Sequence, residues 1–285
     1  MTIERMGVIG GGLMGSGIAE VNARAGLDVV LVEVSEEAAH AARGRIQASL
    51  DKAEKRGKIS AADVAATMER IRAVSDLGVL ADRQLVVEAA SENEQIKLDL
   101  FTKLGAILTD DDAILASNTS SIPIVKLGAV SGRAGRVLGV HFFNPAPVMK
   151  LVELIPSLTT SPETLETMRG YVSDQLDKQP IDATDRAGFI VNSLLVPYLL
   201  SAIRMYEAGY ASAEDIDRGM VLGCGHPMGP LALSDLIGLD TIKAIGESMY
   251  EEFKEPLYSP PPLLDRMVDA GLLGKKSGHG FYPYD

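Results

Sequence analysis

The segment GVHFFNPAPVMKLVELIP, residues 139–156, places His141 and Glu153 twelve positions apart in a mostly apolar run. A histidine titrates near neutral pH and can take a proton from a reacting hydroxyl. A carboxylate behind it fixes the ring tautomer and stabilises the imidazolium, a base-and-orienter arrangement without a nucleophile. Two further stretches fit the same chemistry. ILASNTSSIPI holds five consecutive small polar residues, Ser117 to Ser121, after a strand-like run, and GFIVNSLL holds Asn192. Ser120 and Asn192 offer a hydroxyl and an amide to a substrate oxygen. These types suit oxidation of an alcohol, where the hydroxyl proton needs an acceptor as hydride leaves the carbon. Taken singly, each has a plainer reading. His141 reads as a satisfied core residue, Glu153 as a strand-edge charge, Ser117–Ser121 as a capped turn, and Asn192 as a cap or packing residue.

A hydride acceptor is suggested by GVIGGGLMGSG, which contains Gly10-x-Gly12-x-x-Gly15 between an apolar strand and a helical run. Gly10 permits the tight turn, Gly12 lets a pyrophosphate approach the backbone, and Gly15 lets the helix pack against the sheet. The helix N-terminus offers free N–H groups to phosphates. The second strand ends in Glu33, 23 residues after Gly10. Its carboxylate would accept from ribose hydroxyls and repel a 2′-phosphate, which favours NAD over NADP. A ligand-free glycine turn and a solvated Glu33 are the competing readings.

These groups need a scaffold that carries them on strand ends. RMGVIG (5–10), LDVVLVE (27–33), RQLVVEAA (83–90), AILAS (113–117) and RVLGVHFF (136–143) are dense in Val, Ile and Leu, as parallel strands buried on both faces are. Helical periods fall at about 13–26, 35–57, 61–70, 92–108 and 122–130. The alternation predicts a doubly wound α/β sheet, with VELIP and PIDA as further strands at the far end. Open sheets of this kind bind ligands at the carboxyl ends of their strands, which brings Ser120 and His141 to one edge. From about residue 186 only helices are expected, over 188–208, 212–223, 229–254 and 260–271, with SAED (212–215) as a capping box and Pro197 as a kink. The predicted domains are 1–185 and 186–285.

The composition, 46% hydrophobic and 23% charged over 285 residues, is that of a globular protein. The net charge of −12 argues against sequence-independent nucleic-acid binding and against an anionic membrane surface. One cysteine, Cys224, forbids an internal disulfide, and the N-terminus lacks the layout of a signal peptide, so a reducing, cytoplasmic setting is expected. No cluster has metal-ligand spacing. Residues 43–58 hold six of the 27 Lys and Arg against two acids. Alone, that run reads as a solvated helix face.

The motifs GVIGGGLMGSGIA, SNTSSIPI, HFFNPAPVMKLVELIP, GFIVNSLLVPYL, HPMGPLALSDLIGLD and GKKSGHGFYPY, in this order, resemble the 3-hydroxyacyl-CoA dehydrogenase family, most closely its short 3-hydroxybutyryl-CoA branch. The resemblance runs from about residue 4 to the C-terminus. It implies a Rossmann-like domain, a helical domain that forms a homodimer, and NAD-linked interconversion of 3-hydroxyacyl-CoA and 3-oxoacyl-CoA. The implied base is His141, its orienting acid Glu153, the hydroxyl contacting substrate and nicotinamide Ser120, and the amide from the helical domain Asn192. Implied cofactor contacts are the glycine turn with Leu13 and Met14, then Glu33, Ala89, Glu92, Lys97, Asn144 and Lys276. Ser49, Lys52 and Arg56 are implied on the CoA side, which gives the basic run a function; Lys52 and Arg56 lie four apart on one helical face. The chain departs from many relatives at Ala187, where they carry Pro, at Ser193, where they carry Arg, and at Arg56, where Lys is common. A same-fold dehydrogenase of a small hydroxy acid or sugar acid, and a non-catalytic NAD-binding protein, are the alternatives. The basic run argues against the first and the intact polar quartet against the second.

Overall fold

Strands made of Val, Ile and Leu on both faces need cover on both sides. In the computed structural model, which describes residues 2–284, they form one eight-stranded sheet in the order β3-β2-β1-β4-β5-β6-β7-β8. The strands are β1 (Arg5–Ile9), β2 (Asp28–Val32), β3 (Ile71–Val74), β4 (Leu85–Glu88), β5 (Ile114–Ser117), β6 (Val137–Phe142), β7 (Leu151–Pro156) and β8 (Gln179–Asp182). All neighbours are parallel except β6 and β7. Helices α1 (Leu13–Arg24), α2 (Glu36–Lys55), α3 (Ala61–Glu69), α4 (Glu94–Ile107), α5 (Ile124–Ser131) and α6 (Pro162–Gly170) connect them. The order reverses between β1 and β4, which opens a crevice at their carboxyl ends. Val8, Leu31, Val87, Leu138 and Val140 lie in the core beneath it.

Sequence periodicity misses β3 and α6. β3 is an edge strand with only Ile71 buried, and α6 buries only Thr164 and Met168, so neither carries an apolar pattern.

The chain divides into two compact units between Asp185 and Arg186. The second unit holds α7 (Val191–Glu207), α8 (Ala213–Cys224), α9 (Pro230–Ile237), α10 (Leu239–Phe253) and α11 (Pro262–Asp269) around Leu199, Leu200, Ile203, Leu231 and Met249. The single helix expected over 229–254 is two helices. Gly238 adopts φ +106, ψ 124, which glycine alone enters readily, and the chain turns there. α7 runs through Pro197 without a break. Ser212 caps α8, taking the Asp215 N–H at 3.1 Å, while its hydroxyl donates to the Asp215 carboxylate at 2.9 Å, so only half of the capping box forms. Asp235 accepts the N–H groups of Phe281 and Tyr282, each at 2.9 Å, and holds the C-terminal tail to α9.

Candidate active site

The antiparallel register of β6 and β7 sets His141 directly opposite Glu153. Directly paired residues put their side chains on the same face, within reach of each other. His141 Nδ1 lies 2.7 Å from Glu153 Oε2; Glu153 is fully buried and His141 is 5% exposed. A carboxylate at Nδ1 holds the proton on that nitrogen and leaves Nε2 with its lone pair. Nε2 faces Ser120 Oγ at 3.2 Å. The Phe143 ring packs edge-on against the imidazole, with centroids 4.7 Å apart.

The turn after β5 is held to that place from two directions. Asn118 Oδ1 accepts from the Phe142 N–H at 2.8 Å, tying the ends of β5 and β6. Glu92 Oε1 accepts from Ser120 N at 3.0 Å, from Ser121 Oγ at 3.2 Å and from the Thr119 hydroxyl. Asp185 receives the first N–H groups of α5, Ile124 at 2.8 Å and Val125 at 2.9 Å.

The glycine turn borders a second feature, a cavity of about 690 Å³ lined by Gly10, Gly12, Leu13, Met14, Glu33 and Ala89 among others. Gly10 has φ +86, and a Cβ on Gly15 would stand 1.8 Å from the Gly10 carbonyl oxygen, so turn and helix meet backbone to backbone. A Cβ on Gly12 would meet no protein atom within 4 Å, so protein packing does not demand that glycine. Gly12 is the N-cap of α1 and offers no side-chain cap, leaving first-turn N–H groups for an anion. Glu33 accepts from Gly11 N at 2.6 Å and Val34 N at 3.0 Å. A carboxylate has about four acceptor sites, so it retains capacity for hydroxyls. Arg45 Nη2 grips the Gly11 carbonyl at 2.7 Å from α2. The donors, the acceptors and the space all fit a dinucleotide.

The other expected cofactor contacts are placed unequally. Glu92 and Asn144 are exposed, and Asn144 precedes Pro145 in a cis peptide. Lys97 is 1% exposed and bonds Glu88 Oε1 at 2.6 Å and the Ala90 carbonyl at 3.3 Å, so its ammonium faces the protein. Lys276, in the helical unit, pairs with Asp240 at 2.5 Å. Asn192 lies half-buried in the first turn of α7. Its neighbour Ser193 turns its hydroxyl onto the Phe189 carbonyl at 2.7 Å. The N–H of Ala187 donates to Glu252 at 2.7 Å, a bond that a proline there would not make.

The basic run divides by task. Arg43 holds the Met68 carbonyl at 3.1 Å and Arg45 holds the glycine turn, so both serve the fold. Lys52 and Arg56 are exposed and make no ion pair among the described residues. α2 ends at Lys55, with Arg56 as its C-cap rather than within the helix expected to reach 57. Ser49 borders a cavity of about 250 Å³ together with Ser16, Glu20, Arg45 and Asn144. Burial pushes the Glu20 carboxyl above its ordinary range, opposed by its hydrogen bond with Ser49 and by Arg24.

Sequence reading passes over Glu88 and Asn118, which brace this site. Their signals are an acid closing the otherwise apolar run LVVE and an amide next to the small polar run's first serine. His226 pairs with the Tyr198 hydroxyl at 3.1 Å. Among the described residues no group of three or more His, Cys, Asp and Glu is placed to hold a metal, and no helix is long and apolar enough to cross a membrane.

The family profile "3-hydroxyacyl-CoA dehydrogenase, NAD binding domain" matches residues 5–186, and that for the C-terminal domain matches residues 188–284. The chain is 54% identical to the 3-hydroxybutyryl-CoA dehydrogenase of Mycobacterium tuberculosis strain H37Rv, over 99% of each. It is 45% identical to human mitochondrial hydroxyacyl-coenzyme A dehydrogenase, over 99% of this chain and 91% of that one. The crystal structure of M. tuberculosis FadB2 matches with a TM-score of 0.99 at 54% identity, and that of (S)-3-hydroxybutyryl-CoA dehydrogenase PaaH1 from Ralstonia eutropha with 0.93 at 44%; each covers 100% of both chains.

Proposed function

The chain belongs to the 3-hydroxyacyl-CoA dehydrogenase family and is an NAD-dependent enzyme of that class, and we propose that His141, oriented by Glu153, is the proton acceptor of its reaction. The carrying observation is the Ser120–His141–Glu153 series, 3.2 Å and 2.7 Å, at the carboxyl edge of the sheet. In the oxidative direction His141 Nε2 takes the C3 hydroxyl proton as C3 gives up a hydride, leaving a 3-oxoacyl ester. Glu153, holding Nδ1–H, stabilises the imidazolium that forms. NAD, when bound, supplies the acceptor for that hydride. Ser120 Oγ and the amide of Asn192 hold the substrate oxygen as charge builds on it. In reduction the same imidazolium returns the proton.

The 690 Å³ cavity with its glycine turn, Glu33 and Ala89 supports cofactor binding there. Glu92 and Lys97 contribute through the turn they hold, and Asn144 and Lys276 complete the cofactor contacts. Lys52 and Arg56, exposed and in no ion pair among the described residues, are assigned to CoA phosphates, with Ser49 beside them. The domain assignment follows: residues 1–185 bind NAD, and residues 186–285 serve substrate and dimer contacts. Leu194, Tyr210, Leu222 and Leu236 on the helical unit are exposed apolar side chains that support a homodimer. A reducing cytoplasmic setting suits the single exposed thiol, Cys224.

Consumption of NADH with acetoacetyl-CoA tests the reading. Turnover is expected in the wild type. In His141→Ala turnover is largely abolished while NADH binding is retained. Loss of NADH binding in that variant would contradict the assignment of His141.

A further inference from the structure

Glu88, the last residue of β4, is fully buried, and no step proposed above uses it. A buried carboxylate and a buried ammonium are costly to desolvate and persist only where hydrogen bonds meet nearly all of their capacity. That condition holds here. Lys97 donates to Glu88 Oε1 at 2.6 Å and to the Ala90 carbonyl at 3.3 Å, and its ammonium forms an ion pair with Glu92 Oε2 at 3.3 Å. Glu88 Oε1 also accepts from Ala90 N at 2.7 Å, and its Oε2 accepts from Ser117 Oγ at 2.6 Å.

Two routes lead from this carboxylate to Ser120. Ser117 gives its hydroxyl proton to Glu88 and so presents a lone pair to Thr119 N, at 3.2 Å. Lys97 fixes Glu92, whose Oε1 accepts from Ser120 N at 3.0 Å. Glu88 is also the register partner of Ile9 on one side and of Ser117 on the other. It therefore stands between the glycine turn and the Ser120 turn.

We propose that Glu88 is a positioning residue which, with Lys97, sets the 117–121 turn and thereby the approach of Ser120 Oγ to His141 Nε2. The proposal rests on the roles given above to Ser120 and His141. Glutamine at this position has the shape but not the acceptors. Lys97 and Ala90 N both donate to one oxygen, so the amide nitrogen must face Ser117 and reverse its hydrogen bond. Lys97 then keeps Glu92 as its anionic partner, which draws on the Ser120 turn.

A double-mutant cycle in acetoacetyl-CoA reduction by NADH separates positioning from a general structural role. Glu88→Gln should lower kcat by roughly tenfold or more. In a Ser120→Ala background the same change should lower it by less than about twofold, because no hydroxyl remains to be misplaced. Equal losses in both backgrounds, or unchanged kcat in the single variant, would overturn the proposal. Should Glu88→Gln fail to fold, Ser117→Ala, which cuts one route only, carries the same cycle. A loss of roughly threefold or more that vanishes without Ser120 supports the role, and equal losses reject it. Wild-type activity that is absent, or unchanged by Ser120→Ala, would instead strike the assignment of Ser120 and remove the role of Glu88 with it.

Discussion

Replacing Glu153 by Gln preserves volume and removes one charge from a buried pair. With Nδ1 and Oε2 at 2.7 Å, the charge centres of imidazolium and carboxylate stand further apart than those atoms. At about 4 Å, unit charges attract by roughly 4 kcal/mol at an effective dielectric constant near 20. If the surroundings compensate for about half, the imidazolium loses about 2 kcal/mol of support, which is roughly 30-fold in rate. A second effect acts in the same direction. The glutamine amide can donate to Nδ1, which moves the ring proton to Nε2 and removes the acceptor. The equivalent change in a serine-protease triad costs about 10⁴ in kcat. The expected loss in kcat thus lies between about 30-fold and 10⁴-fold. The assay is NADH formation from 3-hydroxybutyryl-CoA across a pH series, with NADH binding followed by fluorescence and the fold by thermal melting. A kcat within about threefold of wild type at every pH would refute the reasoning, as would a loss traceable wholly to weakened NADH binding.

Arg56→Glu should raise KM for CoA esters about tenfold or more and leave kcat nearly unchanged; a large fall in kcat at constant KM would count against its contact with CoA. Gly15→Ala would force a Cβ to 1.8 Å from the Gly10 carbonyl oxygen. It should cost about 1–3 kcal/mol or more of stability and weaken NADH binding, read by melting and titration. Glu20 bears on the pH dependence of folding. Burial raises its carboxyl above the unfolded value of 4.5, so its support for the fold is complete below that value and is lost as pH climbs through the raised one. Glu20→Gln, always neutral, should therefore raise Tm at about pH 7 and confer no advantage at about pH 3. A lower Tm at neutral pH would show that the Arg24 and Ser49 contacts outweigh desolvation.

The elements legible in the sequence are those with a pattern set by burial. β1, β2, β4, β5 and β6 are buried over nearly their whole length and read as apolar runs. β3 is invisible for the opposite reason: an edge strand with one buried position has no pattern to show. Gly238 was legible as a residue but not as a break, because apolar periodicity continues on both sides of it. At the site, His141, Glu153 and Ser120 announce themselves as polar groups in apolar or strand-end context. Glu88 and Asn118 do not, because their importance lies in partners brought by other strands. Arg43 and Arg45 look like the rest of the basic run, and only the carbonyls they hold separate them from Lys52 and Arg56.

The imidazole and its carboxylate are joined by residues 143–150, yet their meeting is decided by strand register and not by that connection. Because side chains alternate across a strand, a slip of one position would turn Glu153 to the opposite face of the sheet. The pairing therefore behaves as a switch with two settings. Insertions or deletions in the connection leave it untouched so long as the ladder stays in phase. Residues 145–150 can accordingly be reshaped without moving Glu153 from the imidazole, whereas Phe143, packed against that ring, and Asn144, assigned to the cofactor, stay with the site.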